Sequence, residues 1–262
     1  MIMSRLASGW RIQRRVISAL MIRELVTRFG RENIGFLWMM AEPLLFAGLV
    51  GIMWRYLHGP EEHGVSITAF IASGYIPLTL FRQSVTRATK IFSVNGSLLY
   101  HRQVKILDFI FVRFIIEVTG AMMAFVFIAM ILGALNEFPV PANIGALIGG
   151  WFLYCMFVFS LCLVLAPLSE LSDVLEKLMP VTVYISIPFS GTFTMVSWLA
   201  PEFQKFMLYS PFVSPMELIR YGIFGDRVDA IWDLTVPICT TMVLMVIGLG
   251  LCRSIRQRLV VE

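Results

Sequence analysis

Of 262 residues, 58% are hydrophobic and only 15% charged, and mean hydropathy is +0.81; soluble domains run at about 45–50% apolar and about 25% charged, so that class is excluded. The apolar runs are continuous rather than alternating, which excludes a membrane barrel. The net charge of +4 does not signal a nucleic-acid partner, because the basic residues gather in a few connecting segments, as membrane topology demands.

Residues 1–35 read as a cytoplasmic amphipathic interface helix. Leu6, Trp10, Ile17, Leu20, Met21, Leu25 and Phe29 fall mostly on one helical face, and Arg11, Arg14, Arg15 and Arg23 largely on the other. A basic helix of this kind lies along a membrane surface, held by apolar burial and anionic lipid; packing on protein alone is the other reading. The segment is too arginine-rich for a signal peptide, so insertion is expected to start at the first span.

Residues 36–262 then read as a six-span domain, with helices over 36–56, 67–85, 109–135, 144–168, 178–199 and 231–252. Each is close to the roughly 20 residues needed to cross a bilayer. Lys and Arg concentrate in the N-terminal segment, in the second loop (Arg82, Arg87, Lys90, Arg102, Lys105) and in the tail (Arg253, Arg256, Arg258). Loops 58–66 and 136–143 carry none, and the fourth loop carries only Lys177. The positive-inside rule therefore places both termini in the cytoplasm.

Charges inside the spans need partners, since insertion scales put one near a span's centre at about +2.5 to +3.5 kcal/mol. Glu42 sits beside Pro43 in the first span, and Arg113 and Glu117 stand one turn apart in the third. Arg113 is placed to bridge Glu117 and Glu42. Two readings are open: a structural clamp, or a hinge at Glu42–Pro43 in a helix that lines a pathway. Arg55, near the outer end of the first span, is expected to snorkel to the interface.

Gly145 and Gly149 in the fourth span fit a small-xxx-small helix contact. In the fifth span Thr182, Ser186, Ser190, Thr194 and Ser197 recur at helical spacing, which confines them to one face of roughly 120°. Phe189 and Phe193 flank that stripe, and Pro188 and Gly191 loosen the helix beside it. Tight helix packing is one reading. The other is a wet wall where hydroxyls and aromatic faces meet a sliding sugar chain. The connection 200–230 contains "EFQKFMLYSPFVSPMELIRYGIFG", with Pro211, Pro215, Glu217 and Arg220. It is too broken to span and too apolar for water, so short helices re-entering the outer leaflet are expected.

The four cysteines (Cys155, Cys162, Cys239, Cys252) show no CxxC or Cys/His spacing, so neither a metal site nor a disulfide framework is expected. No GxxxxGK[ST], HExxH or GxSxG is present. His58, His63 and His101 lie outside the spans, with none placed to activate a buried serine. A conduit, receptor or scaffold is expected rather than an enzyme, with no catalytic residues and no cofactor bound by the chain itself.

The whole length resembles the membrane subunit of ABC-2-type exporters, in particular the capsular polysaccharide export permeases of the KpsM type. The resemblance rests on the amphipathic helix leading into "TRFGRENIGFLWMMAEPLL", on "SVNGSLLYHRQVKILDFIFVRFIIE", and on "YSPFVSPMELIRYGIFG". Relatives often carry Asn-Pro in the last segment, where Ser210-Pro211 and Ser214-Pro215 stand here. The resemblance implies a homodimer joined to two separate ABC ATPase chains, which hold ATP and Mg. It implies a coupling helix at about 93–105, with Asn95, Leu98, Leu99, Tyr100, Arg102 and Lys105 at the ATPase interface. It implies a channel lined by spans one and five, bringing in Glu42, Phe46, Arg55, Ser186, Phe189, Ser190, Phe193 and Thr194. The cargo it implies is an acidic, lipid-linked polysaccharide passed on to periplasmic and outer-membrane export proteins. Export of O-antigen, teichoic acid or another lipophilic substrate is the alternative, followed by a non-transporting scaffold.

Overall fold

The computed structural model describes residues 2–29, 35–59, 61–62, 64–92 and 105–259. The chain is mostly helical. In order, the elements are α1 (Ile2–Phe29), α2 (Gly35–His58), β1 (Glu61–Glu62), β2 (Val65–Ser66), α3 (Ile67–Ala88), α4 (Ile106–Ala134), α5 (Ile144–Leu171), α6 (Asp173–Ser186), α7 (Pro201–Leu208), α8 (Val213–Phe224) and α9 (Thr235–Leu259). The two short strands pair antiparallel, Glu61 opposite Ser66. Among the described residues, α4, α5 and the stretch Thr235–Ile255 of α9 are long and apolar enough to cross a membrane. In hydrocarbon every backbone N–H and C=O must bond within its own segment, which is why apolar runs of this length become helices.

The centre of the molecule is α3, whose residues 69–81 are buried without a break. It packs against α2, α4 and α5 and touches α6 and α8, while α5 packs chiefly on α8 and α9 and only lightly on α4. The helices run through their internal prolines, Pro43 in α2, Pro77 in α3, Pro167 in α5 and Pro180 in α6. Membrane helices tolerate this because neighbours re-satisfy the freed carbonyls. At Glu42–Pro43, where a clamp or a hinge is expected, α2 runs on without a break.

The fifth span is corrected more deeply. The helix α6 ends at Ser186, a 3-10 turn covers Pro188–Ser190, and Gly191 takes φ +69. Proline disfavours helical backbone in the residue before it and removes a donor, and a left-handed glycine terminates a helix. A second 3-10 turn, Val196–Trp198, follows. The hydroxyl stripe thus has no single helix to lie on. The last span also shifts, starting at Thr235 instead of 231 and running to Leu259. At its mouth the Thr235 N–H donates to Asp233 at 2.9 Å and holds that carboxyl below its ordinary value.

Close backbone contact does join α5 to α8, one residue away from the expected glycine pair. A Cβ on Gly150 would stand 2.8 Å from the Ile219 nitrogen, and one on Gly222 would stand 2.4 Å from the Leu147 nitrogen. A Cβ on Gly149 would meet only Leu218, at 3.9 Å, and Gly145 faces only nearby Asn143. A third approach lies on α3, where a Cβ on Gly74 would sit 2.3 Å from the Thr192 carbonyl oxygen. Gly74→Ala is expected to destabilise the fold by about 1–3 kcal/mol through overpacking. Thermal denaturation in detergent reads this, and an unchanged midpoint would mean the 191–194 segment yields freely.

Candidate functional site

Two polar constellations lie within the helical bundle. The first ties α1 to α3 and α4. On α1, Glu24 and Arg28 are an i, i+4 pair at 2.8 Å, a spacing that places both on one face. From α1, Arg28 reaches Glu117 of α4 at 2.5 Å. Arg87 of α3 approaches the same Glu117 oxygen at 3.1 Å. Arg113 of α4 meets Glu24 at 3.0 Å and donates to the Arg87 carbonyl at 3.0 Å. Glu24, Arg113 and Glu117 are all buried. Nearby, Gln13 of α1 donates to Asp108, whose carboxylate also accepts from the Lys105 N–H at the start of α4.

This cluster corrects the expected Glu42–Arg113–Glu117 bridge. Arg113 turns to Glu24, and Glu42 pairs with Arg82 of α3 at 2.6 Å and Gln83 at 3.2 Å. The helix α1 packs through Leu20, with Ile17, Met21 and Leu25 partly buried against the core. Trp10 is 72% exposed and lies off that face; the side chains of Leu6 and Phe29 lie outside the described residues. Arg55 ion-pairs with Glu137 of the connection after α4, so it has a defined partner where only snorkelling was expected.

The second constellation staples the broken stretch after α6. Arg220 of α8 is fully buried. It donates to the carbonyls of Gly191 at 2.7 Å, Thr194 at 3.0 Å, and Thr192, and its guanidinium lies 3.9 Å above the Phe70 ring. One turn earlier, Glu217 accepts from the N–H groups of Val196 at 3.1 Å and Ile231 at 3.2 Å. Ser214 accepts from the Asp233 N–H at 3.1 Å. Pro215 is buried on the same helix, while Pro211 lies in the turn before it. The backbone between 191 and 196 is thus bonded by the side chains of α8, while Ser210 and Gln204 serve the Phe189 and Leu199 carbonyls, as buried peptide groups require.

The stripe residues separate. Ser186 and Ser190 donate to Val183 and Ile187 carbonyls at 2.7 and 2.6 Å. Ser190 is fully buried against the Thr192 hydroxyl, while Thr194 is half-buried. The aromatic side chains pair across elements: Phe46 stacks on Tyr75 at 4.3 Å, Trp54 faces Phe193 at 6.4 Å, and Phe189 meets Phe206 edge-on at 6.2 Å. Asn95, Leu98, Leu99, Tyr100 and Arg102 lie outside the described residues, as do His63 and His101. Lys105 stands at the N-cap of α4.

Glu24, Arg28 and Arg87 escaped the sequence reading. A signal existed, since Glu24 is the one carboxylate between residues 2 and 29, set a turn before an arginine. A lone acid on a basic helix points inward to cations on another element.

The family of ABC-2 type transporters matches residues 15–224. The capsule polysaccharide export inner-membrane protein BexB of Haemophilus influenzae is 34% identical over 243 residues, 93% of this chain and 92% of its own. The capsule polysaccharide export inner-membrane protein CtrC of Neisseria meningitidis serogroup B is 36% identical over 240 residues, 92% and 91% of the two chains. The polysialic acid transport protein KpsM of Escherichia coli is 25% identical over 252 residues, 94% and 96%. With a match across most of its length and relatives that align nearly end to end, the chain belongs to the ABC-2 type transporter family.

Proposed function

We propose that the chain is the membrane-spanning subunit of an ATP-driven exporter that carries a capsular polysaccharide, acidic and lipid-linked, across the inner membrane. The observation that carries this reading is the nearly full-length similarity to relatives named for capsule polysaccharide export. In this reading the chain makes six crossings, with α6 and the stapled stretch after it as the fifth, and α7 and α8 re-enter the outer leaflet. Both termini face the cytoplasm, α1 lies at the inner surface, and two copies form the conduit. ATP and Mg are handled by two copies of a partner ABC ATPase, and the glycan passes to periplasmic and outer-membrane export proteins.

The segment 93–105 is the ATPase contact in this reading. It joins α3 to α4, the two helices that share the Arg87–Glu117 pair with Arg28 of α1. Force applied to that connection reaches three helices through one carboxylate. Charge reversal of Arg102 and Lys105 together is expected to reduce surface polysaccharide at least about tenfold while the chain still folds, if each contributes a charged contact of roughly 1 kcal/mol or more. Normal surface polysaccharide in the double variant would remove the segment from the coupling role.

The whole reading is tested by deleting the chain and purifying it tagged in mild detergent. Loss of surface polysaccharide with glycan retained inside the cell, and a stoichiometric Walker A partner in the purified complex, are the expected results. A deletion strain with an intact capsule overturns it.

A further inference from the structure

A cavity of about 430 Å³ opens between α2, α3 and α6, lined by Glu42, Arg82, Gln83, Thr86, Arg87 and Tyr184, with Pro180 and Val183 as its apolar wall. We infer that this cavity is an oxyanion site, which takes a carboxylate or phosphate group between Arg82 and Arg87, with Glu42 as the placeholder that the ligand displaces.

Charge is the first support. Among the described residues, the ion pairs given above bring four guanidiniums (Arg28, Arg82, Arg87, Arg113) to three carboxylates (Glu24, Glu42, Glu117). Glu117 is shared by Arg28 and Arg87, and Glu24 by Arg28 and Arg113. A structural clamp needs no excess cation, and a positive surplus in a partly dry setting draws an anion.

Donor geometry is the second support. A guanidinium carries five N–H donors in a rigid fork that matches carboxylate and phosphate. Arg82 engages Glu42 through one terminal nitrogen and also bonds to Tyr75, and Arg87 engages Glu117 through Nε; neither carboxylate takes a whole fork.

Exchangeability is the third. Glu42 is 46% exposed on its side chain and its partner Arg82 24%, whereas Glu117 is 2% exposed. Where that face lines the proposed conduit, the Glu42 carboxylate has room to leave Arg82, but the enclosed Glu117 does not leave Arg87. The volume falls within the roughly 300–1,000 Å³ of small-molecule sites, room for one acidic sugar or one lipid headgroup. The glycan as source rests on the proposed function, and the oxyanion chemistry does not.

The test uses the full chain purified with its co-purifying partners, and three probes: an oligoglucuronate, phosphatidylglycerol in mixed micelles, and a neutral maltooligosaccharide. Wild type is expected to bind at least one acidic probe and to ignore the neutral one. Arg82→Gln is expected to weaken that binding about tenfold, as loss of a charge-assisted bidentate contact does. Glu42→Gln is expected to tighten it about threefold or more, because the competing carboxylate is gone, an opposite sign that a purely structural role does not produce. Preference for oligoglucuronate names the glycan as source, and preference for phosphatidylglycerol names the headgroup. Should Arg82→Gln fail to fold, the sign of Glu42→Gln decides alone. Equal binding of the neutral sugar, or unchanged acidic binding in the folded variants, overturns the site. Capsule loss on deletion, scored separately, tells failure of the site from failure of the proposed function.

Discussion

Arg220→Met is expected to abolish export and to lower the amount of folded chain. The guanidinium is fully buried and is the donor for three carbonyls, those of Gly191, Thr192 and Thr194, all in a segment without helical bonds of its own. Hydrogen bonds to charged groups contribute about 1.5–3 kcal/mol each, offset in part by the desolvation of the arginine itself. A net loss of about 3–5 kcal/mol is expected, because three buried carbonyls lose their donor at about 1–3 kcal/mol each. Set against a total stability of about 5–15 kcal/mol, that is decisive. Lysine is not expected to rescue. A single ammonium nitrogen lacks the two-nitrogen spread that reaches Gly191 and Thr194 on one side and Thr192 on the other, and it cannot lie flat over Phe70 as the fork does at 3.9 Å. Steady-state level, thermal midpoint in detergent and surface polysaccharide are the readouts. Wild-type values in all three would mean that the 191–194 carbonyls find other donors.

Glu117→Ala is expected to detach α1 from the bundle. The carboxylate meets Arg28 at 2.5 Å and Arg87 at 3.1 Å with its side chain only 2% exposed. Its removal leaves Arg87 without this carboxylate and Arg28 with Glu24 alone, at about 3–5 kcal/mol. The loss concentrates where α1 is held, because Glu117 is one of its few charged anchors, beside the Glu24–Arg113 pair, the Gln13–Asp108 bond and the Leu20 face. Limited trypsin digestion reads it directly, since Arg11, Arg14 and Arg15 are exposed on α1 and are cut faster once the helix frays. Glu117→Leu combined with Arg87→Met is expected to recover part of the loss, as apolar replacement of buried ion pairs does elsewhere. Cleavage of Glu117→Ala at the wild-type rate would show that α1 is held without the Glu117 contacts.

The long helices were legible because composition and length settle them: in hydrocarbon an apolar run has few options besides helix. Hence α2, α3, α4 and α5 appear within a few residues of the expected ends. The expected single helix over 178–199 fails for a definite reason. Its hydroxyls recur at helical spacing, but Pro188 and Gly191 fall inside the stripe, and local backbone preference overrode the pattern. That outcome is written in the residues themselves, since proline and glycine act on the backbone directly while hydroxyl spacing does not. The repair by Glu217 and Arg220 was not legible, since nothing in the sequence says that α8 folds back on 191–196. For the charges, residue types gave the membership only in part. Arg113 and Glu117 were found and Glu24 was not, because pairing across elements depends on rotation about each helix axis, which hydropathy does not fix.

The uneven packing of α5 has a mechanical consequence. Where it meets α8, backbone lies on backbone at Gly150 and Gly222, so separation would open voids that no side chain can fill, with full loss of dispersion. Where it faces α4, an apolar cleft of about 670 Å³ runs between Phe114, Val118, Met122, Trp151 and Phe159, and the two helices touch only lightly. Acyl tails entering such a cleft replace lost helix contacts with equivalent ones, because lipid tails are as apolar as leucine. The compliance of the subunit is therefore anisotropic: stiff across the α5–α8 seam, soft across the α4–α5 seam, with α3 touching both sides as the axle.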